Sequence, residues 1–193
     1  ISRKAISIDD IFIADLNISV TALEAYSLKH EYFDTKNIET KNQFREKYVE
    51  LNELLSVDDK LYEMSTLSKK ILKSIDVKYI RERRRENYIY LYNELRGVEY
   101  IETPCILSNE NDVPLFLPSL IIDYETRMLL RSYLASKDIY CPIIWQKPNR
   151  ILDQSSETEN IYSRILCFPI DQRYDKADMD RIVDALMEWK KNS

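Results

Sequence analysis

A single histidine and three cysteines limit the nucleophilic and metal chemistry open to this 193-residue chain. A serine or cysteine nucleophile ordinarily needs a neighbouring base, and a structural zinc site needs several Cys or His ligands. His30 follows Lys29 in a polar stretch, which predicts a surface position. Cys105, Cys141 and Cys167 are far apart among apolar neighbours, which predicts buried reduced thiols. The pattern argues against a triad-type hydrolase and predicts no metal site.

Two polar residues stand out on a helix face that the spacing predicts to be apolar. Arg84 and Asn87 share this face with Ile80, Tyr88 and Leu91. An unpaired polar group in a core costs about 1–3 kcal/mol. We therefore expect Arg84 and Asn87 to bond to strand ends, another chain or a ligand, and structural bonds are the favoured interpretation.

The run 81–86 contains four arginines and two glutamates. A basic cluster of this kind could meet a phosphate backbone, and binding to nucleic acid would then weaken steeply with salt. The glutamates interrupt the cluster, however, and the whole chain has 28 Lys and Arg against 33 Asp and Glu, a net charge of −5. The charge pattern therefore predicts a solvated helix face and no nucleic-acid partner.

Glycine is nearly absent, because Gly97 is the only one in the chain. Phosphate-binding P-loops and dinucleotide fingerprints each need two or three glycines so that backbone amides can approach the anion. A self-contained nucleotide site of either type is therefore excluded. The longest apolar runs are far shorter than the ~20 residues that cross a bilayer. Together with the cysteines, this predicts a cytoplasmic protein without a membrane partner.

The first half of the chain carries mainly helical signals. Residues 11–16 are a strand candidate that leads into a polar stretch, and residues 40–55 show the apolar spacing of an amphipathic helix. Ser65 can cap a short helix, and Asp76 can cap a longer one that ends near residue 96. Gly97 follows that end, where a left-handed residue commonly terminates a helix.

Strand and helix signals alternate after Gly97. The pattern predicts four strands, at residues 98–102, 113–122, 141–145 and 164–168. Helices are predicted to begin after Asp123 and after Asp175, and the polar residues 150–160 predict a mobile loop. The sequence thus predicts an α/β fold in which a helical segment precedes a small α/β sandwich, a sheet with helices on one face.

Residues 64–186 carry a series of short motifs that point to one protein family. These are Met64-Ser65, Ile71-Leu72, Ile75-Asp76, Arg83-Arg84, Asn87-Tyr88, Leu134, Ile139-Tyr140-Cys141-Pro142, Trp145, the run 164–174, Asp178-Met179 and Arg181-Ile182. Their order and spacing resemble the C-terminal portion of the DegT/StrS-type pyridoxal-phosphate-dependent aminotransferases, which are enzymes of fold type I.

The resemblance implies a domain organisation and an activity. Residues 1–75 would be the end of the large domain, and residues 76–193 would be the small C-terminal α/β domain. The activity implied is transfer of an amino group from an amino acid to a keto or aldehyde acceptor, such as a nucleotide-linked sugar. The cofactor would be pyridoxal 5'-phosphate, and the enzyme would be a homodimer.

The resemblance also suggests two site residues. Ser2-Arg3-Lys4 is similar to the segment in which family members carry the lysine that forms a Schiff base with the cofactor, so Lys4 would be both catalytic and cofactor-binding. Trp145 matches the position at which relatives place a histidine or an aromatic residue near the substrate entrance, so it would be a substrate contact.

A different class of function stays open. Relatives follow the lysine with Asp-Gly-Gly, whereas here Asp9-Asp10 runs into Ile11. This departure favours a non-catalytic interaction or structural module that keeps the small-domain fold. The family grips its cofactor mainly through residues upstream of the lysine, so we expect this segment alone to be inactive.

Overall fold

A computed structural model describes residues 11–56, 61–144 and 155–192, with side chains described through residue 190. The chain divides into two compact units, Ile1–Ile75 and Asp76–Ser193. No helix in the described residues is both long enough and apolar enough to span a bilayer.

The first unit pairs two very short parallel strands, β1 (Ile11–Phe12) and β2 (Leu61–Tyr62). Its helices are α1 (Leu16–Thr35), α2 (Ile38–Ser56) and α3 (Thr66–Ser74). The strand predicted at residues 11–16 is correct only at its start. Asp15 caps α1 by accepting the backbone N–H of Asn17 at 2.8 Å, so the chain turns into a helix there.

The helices α1 and α2 form an antiparallel hairpin. Lys36 adopts the left-handed conformation between them, at φ 54°, and its backbone N–H donates to the carbonyl of Tyr32 at 2.8 Å. Tyr26 contacts Tyr48 at 5.7 Å between ring centroids, and Tyr32 contacts Phe44 at 5.6 Å. The helix predicted at residues 40–55 is confirmed as α2. The polar stretch expected after the first strand is in fact α1.

Helix ends in the middle of the chain follow the capping residues. The Ser65 hydroxyl accepts the backbone N–H of Ser68 at 3.1 Å and begins α3. Asp76 accepts the backbone N–H of Tyr79 at 2.9 Å and begins α4 (Val77–Leu95). Gly97 has φ +87°, the left-handed region that favours glycine. These predictions of caps and helix end are confirmed.

The second unit contains an antiparallel sheet of three strands in the order β3 (Ile101–Glu102), β4 (Phe116–Ile121) and β5 (Ile165–Pro169). Leu117 faces Phe168 across the sheet, and Ser119 faces Leu166. All four side chains are buried, so they mark the face that lies against the core. The strands predicted at 98–102, 113–122 and 164–168 are confirmed, and the first two are shorter than predicted.

The strand predicted at residues 141–145 is wrong for its described part. Residues 141–144 have no strand assignment. Pro142 lacks an N–H group, so it cannot donate a hydrogen bond to a ladder. Its carbonyl nevertheless accepts the backbone N–H of Cys167 at 3.0 Å, so this segment contacts β5 through a backbone bond.

Three helices complete the second unit: α5 (Tyr124–Ser136), α6 (Ser156–Arg164) and α7 (Lys176–Asn192). The predictions after Asp123 and Asp175 are confirmed as α5 and α7. The loop predicted at 150–160 is wrong over its described C-terminal part, where α6 begins. Ser155 accepts the backbone N–H of Thr158 at 3.2 Å, and glutamates in the first turn favour the positive end of the helix dipole.

Arg127 on α5 secures the last turn of α6. Its side chain is 4% exposed, and its Nη1 donates to the carbonyl of Tyr162 at 3.0 Å. Burial lowers the pKa of Arg127, and its guanidinium lies 4.8 Å from the ring centroid of Tyr124. A cation at the carbonyl end of a helix interacts favourably with the dipole, which offsets part of the cost of burial.

The core of the second unit joins α4, α5 and α7 to the buried face of the sheet. Its largest fully buried apolar side chains are Leu91, Leu95, Leu117, Ile121, Leu130, Leu134, Leu166, Phe168, Ile170, Met179 and Leu186. Cys141 and Cys167 are buried and reduced, as predicted, whereas Cys105 is exposed. The prediction was wrong for Cys105 because its apolar neighbour Ile106 is itself 73% exposed.

Candidate functional site

Asn87 holds the chain where it leaves β5. Its side chain is 3% exposed, and its Nδ2 donates to the carbonyls of Ile170 at 3.5 Å, Asp171 at 3.2 Å and Tyr174 at 3.1 Å. A buried amide with several acceptors in reach fixes the path of the backbone between β5 and α7. The expectation that Asn87 bonds to a strand end is confirmed.

Arg84 reaches the same segment one helical turn away. Its Nε donates to Oε1 of Gln172 at 2.7 Å, and its Nη2 lies 3.8 Å from Oδ2 of Asp171. Arg173 also bonds Asp171, at 2.8 Å and 3.2 Å. Burial raises the pKa of Asp171, but the hydrogen bonds from Arg173 outweigh burial and hold the pKa below its ordinary value.

The neighbouring arginines of α4 bind a different loop. Arg81 donates to the side chain of Asn111 at 3.2 Å. Arg85 donates to the backbone carbonyls of Asn109 at 2.9 Å and Asp112 at 2.6 Å. These bonds position the loop before β4, so Arg81 and Arg85 do more than form the solvated helix face that the sequence predicted.

A groove of about 610 Å³ lies beside this segment, among α5, residues 140–142 and the turn after β5. Its lining combines aromatic, proline and charged side chains. They are Phe116, Arg131, Ser132, Ala135, Tyr140, Cys141, Pro142, Pro169, Asp171, Arg173 and Tyr174. This volume lies within the range of roughly 300–1,000 Å³ that is typical of small-molecule sites.

The charged residues of the described lining are Arg131, Asp171 and Arg173. Arg131 is exposed, and its Nε donates to the backbone carbonyl of Cys141 at 3.3 Å. The thiol of Cys141 is 4% exposed, and burial raises its pKa to about 12, so it stays protonated and unreactive near neutral pH. The described lining thus offers guanidinium donors for an anion, and its one thiol is not an activated nucleophile.

No lysine is among the described residues that line the groove, so these residues do not fit pyridoxal phosphate as a covalent site. Lys4 and Trp145, the site residues suggested by the sequence, both lie outside the described residues. Among the residues that are described, no group of three metal-ligating side chains occurs. His30 is exposed on α1 and pairs with Asp34 at 3.2 Å, as expected for a surface histidine.

Solved structures show the same fold. DesV of S. venezuelae, in complex with a ketimine intermediate, matches 69% of this chain and 39% of its own, with 19% identity and a TM-score of 0.58. The sugar aminotransferase CalS13 of Micromonospora echinospora matches 62% of this chain and 32% of its own, with 15% identity and a TM-score of 0.54. AtS13 of Actinomadura melliaura matches 68% of this chain and 37% of its own, with 17% identity and a TM-score of 0.54.

The chain shares the fold of sugar aminotransferases. The α/β fold class and the resemblance drawn from the sequence are therefore confirmed at the level of fold. The chain spans between 32 and 39% of the length of these three structures. No family model and no curated protein sequence matches the chain.

Sequence reasoning did not identify Arg131 as a groove residue. The groove joins segments near residues 116, 131, 141 and 171, which only the folded chain brings together. One signal was present in the sequence. Arg131 follows Arg127 by four residues on α5, so both arginines lie on the same side of an otherwise apolar helix face.

Proposed function

We propose that this chain is part of a pyridoxal-phosphate-dependent aminotransferase. The enzyme would transfer an amino group from an amino acid to a keto or aldehyde acceptor, such as a nucleotide-linked sugar. The observation that carries the proposal is the match of 69% of the chain to DesV at a TM-score of 0.58. The motif series between residues 64 and 186 supports it independently.

In this proposal the first unit is the end of the large domain. Its parallel strands support that role, because Ile11, Phe12, Leu61 and Tyr62 are between 37 and 49% exposed. Parallel strands are ordinarily covered on both faces, and two strands alone are not independently stable. A pair this short and this exposed is typical of a fragment of a wider sheet.

The second unit would then be the small domain that borders the substrate entrance. Asn87 and Arg84 would keep the turn after β5 in place beside that entrance. We further propose Lys4 as the residue that anchors the cofactor covalently and Trp145 as a substrate contact. Bound cofactor would supply the electron sink for amino transfer.

The test uses the full gene product that carries this sequence, titrated with pyridoxal phosphate and followed by absorbance. A saturable new band at the violet edge of the visible spectrum is expected, since a lysine adduct of the cofactor absorbs there. The band should be lost in Lys4→Ala and kept in Lys36→Ala, a matched surface control. Absence of the band in the unaltered protein would refute the proposal and favour a non-catalytic module.

We also propose that the complete enzyme is a cytoplasmic homodimer. Light scattering coupled to size-exclusion chromatography measures its mass directly, and a monomeric mass at micromolar concentration would contradict this part of the proposal.

A further inference from the structure

We propose that the groove beside α5 binds a small molecule in which an oxyanion, a carboxylate or a phosphate, is attached to a flat ring, with Arg131 as the charged contact. The proposal does not rest on the aminotransferase proposal, because it uses only side chains that line the groove.

The guanidinium of Arg131 is held by a hydrogen bond and has no carboxylate partner among the described residues. The bond from its Nε to the carbonyl of Cys141 orients the group. Within residues 11–56, 61–144 and 155–192, no carboxylate lies at ion-pair distance from Arg131. Arg131 lines the groove, and the two terminal nitrogens of its guanidinium carry donors in the planar arrangement that matches a carboxylate or phosphate.

The opposite wall does not repel an anion. Asp171 is the only acidic residue among the described residues of the lining, and it is paired with Arg173 at 2.8 Å and approached by Arg84 at 3.8 Å. The charged residues in the described lining are thus two arginines and one aspartate, an excess of one positive charge. A single negative ligand group would balance it.

The rest of the lining favours a flat apolar body. Beside the charged residues, the lining includes three aromatic residues and two prolines: Phe116, Tyr140, Tyr174, Pro142 and Pro169. Tyr140 is 63% exposed, so a large part of its side chain is open to contact. Aromatic and proline side chains offer flat apolar faces, against which a ring packs with little loss of conformational entropy. A bare ion would use the arginine and leave this surface empty.

The test is a titration of the full chain, labelled with ¹⁵N, with four probes observed by NMR. The probes are phenyl phosphate, benzoate, inorganic phosphate and benzyl alcohol. We expect saturable amide shifts for phenyl phosphate and benzoate that centre on residues 131, 140, 141 and 170–174. Inorganic phosphate should bind at least several-fold more weakly, and benzyl alcohol should not saturate. Comparing phenyl phosphate with benzoate shows which oxyanion is preferred.

Variants separate a specific site from general attraction to positive charge. Arg131→Gln should weaken phenyl phosphate about tenfold or more, since it removes a charge-assisted pair. Arg45→Gln, at an exposed arginine of α2, makes the same charge change and should have no effect. Tyr140→Ala should weaken phenyl phosphate but not inorganic phosphate. Each variant must first keep the dispersed spectrum of the folded chain.

Three results would overturn the proposal. One is the absence of saturable shifts at the groove with both aromatic anions. Another is equal weakening by Arg131→Gln and Arg45→Gln. The third is equal affinity for phenyl phosphate and inorganic phosphate. If Arg131→Gln disturbs the fold, Arg131→Lys, which keeps the charge and loses the planar donors, replaces it and should also weaken phenyl phosphate.

Discussion

Replacing Asn87 by alanine should destabilise the second unit without changing its charge. The amide is 3% exposed, and its Nδ2 is shared among the carbonyls of Ile170, Asp171 and Tyr174. Alanine removes both amide protons, so the carbonyls of Ile170 and Tyr174 lose this donor, whereas the carbonyl of Asp171 keeps the backbone N–H of Tyr174 at 3.0 Å. No other described side chain donates to these three carbonyls.

The size of the effect follows from the bond to Tyr174, because the carbonyl of Asp171 keeps a backbone donor and the bond to Ile170 is long, at 3.5 Å. An acceptor deprived of its partner in a buried site costs about 1–3 kcal/mol. The carbonyl of Tyr174 is only partly buried, so the lower half of that range applies to it. We expect a loss of about 1–2 kcal/mol in the free energy of unfolding. For a chain of this length that corresponds to roughly 2–8 °C in Tm.

Urea denaturation followed by tryptophan fluorescence measures this loss. Asn93→Ala is the matched control, because Asn93 is an exposed asparagine on the same helix, and it should change the free energy of unfolding by less than about 0.5 kcal/mol. Asn87→Asp should be at least as damaging near neutral pH as alanine, since a carboxylate would face carbonyl oxygens with no proton to donate. A loss below about 0.5 kcal/mol for Asn87→Ala would refute the role given to this side chain.

Three further predictions concern the core, the helix end and a helix cap. Phe168→Ala should cost about 3–5 kcal/mol in urea denaturation, because Phe168 is fully buried; a smaller loss than about 1.5 kcal/mol would contradict its place in the core. Gly97→Ala should lower the free energy of unfolding by about 1–2 kcal/mol, because alanine disfavours the left-handed φ at this position. A Cβ would meet no atom within 4 Å, so no steric clash adds to this cost. A neutral effect in thermal melts would argue against the left-handed conformation. Hydrogen bonds from Thr126, first from its backbone N–H and then from its hydroxyl, lower the pKa of Asp123. The ionised carboxylate therefore stabilises the fold fully above the ordinary carboxyl pKa of about 3.9, and this stabilisation is lost as pH falls through the lowered pKa. Asp123→Asn should therefore flatten the fall in urea midpoint on acidification, and an unchanged slope would count against this cap.

Local signals predicted helix ends well. Ser65, Asp76 and Asp123 each accept a backbone N–H three residues ahead, which a sequence displays directly. Gly97 ends α4 for an equally local reason, its left-handed φ. Such features depend on neighbours within one turn of the chain, so a single sequence suffices to find them.

The two helices that the sequence did not predict, α1 and α6, lack a clear periodic pattern of apolar residues. Only Thr21 and Ala25 of α1 are buried, so this long helix shows little amphipathic pattern. The helix α6 has no buried residue and is docked partly by Arg127, far away in the sequence. Residues 141–145 looked like a strand from their apolar character, but Pro142 cannot donate a hydrogen bond to a ladder.

The candidate site could be predicted only in part. The expectation that Arg84 and Asn87 need partners came from helical spacing, and it holds because polar groups in a core must be satisfied. The partners themselves, on the turn after β5, are more than 80 residues away. The groove could not be predicted because it depends on four separate segments meeting in the folded unit.

The central claim, that this chain is part of a pyridoxal-phosphate enzyme, is tested most directly by locating the cofactor. The full gene product is incubated with pyridoxal phosphate, reduced with borohydride, digested and examined by mass spectrometry. We predict the mass of the reduced cofactor on one peptide, the one that contains Lys4. A protein without the added mass, or one in which the mass is spread over surface lysines such as Lys36, would contradict the claim.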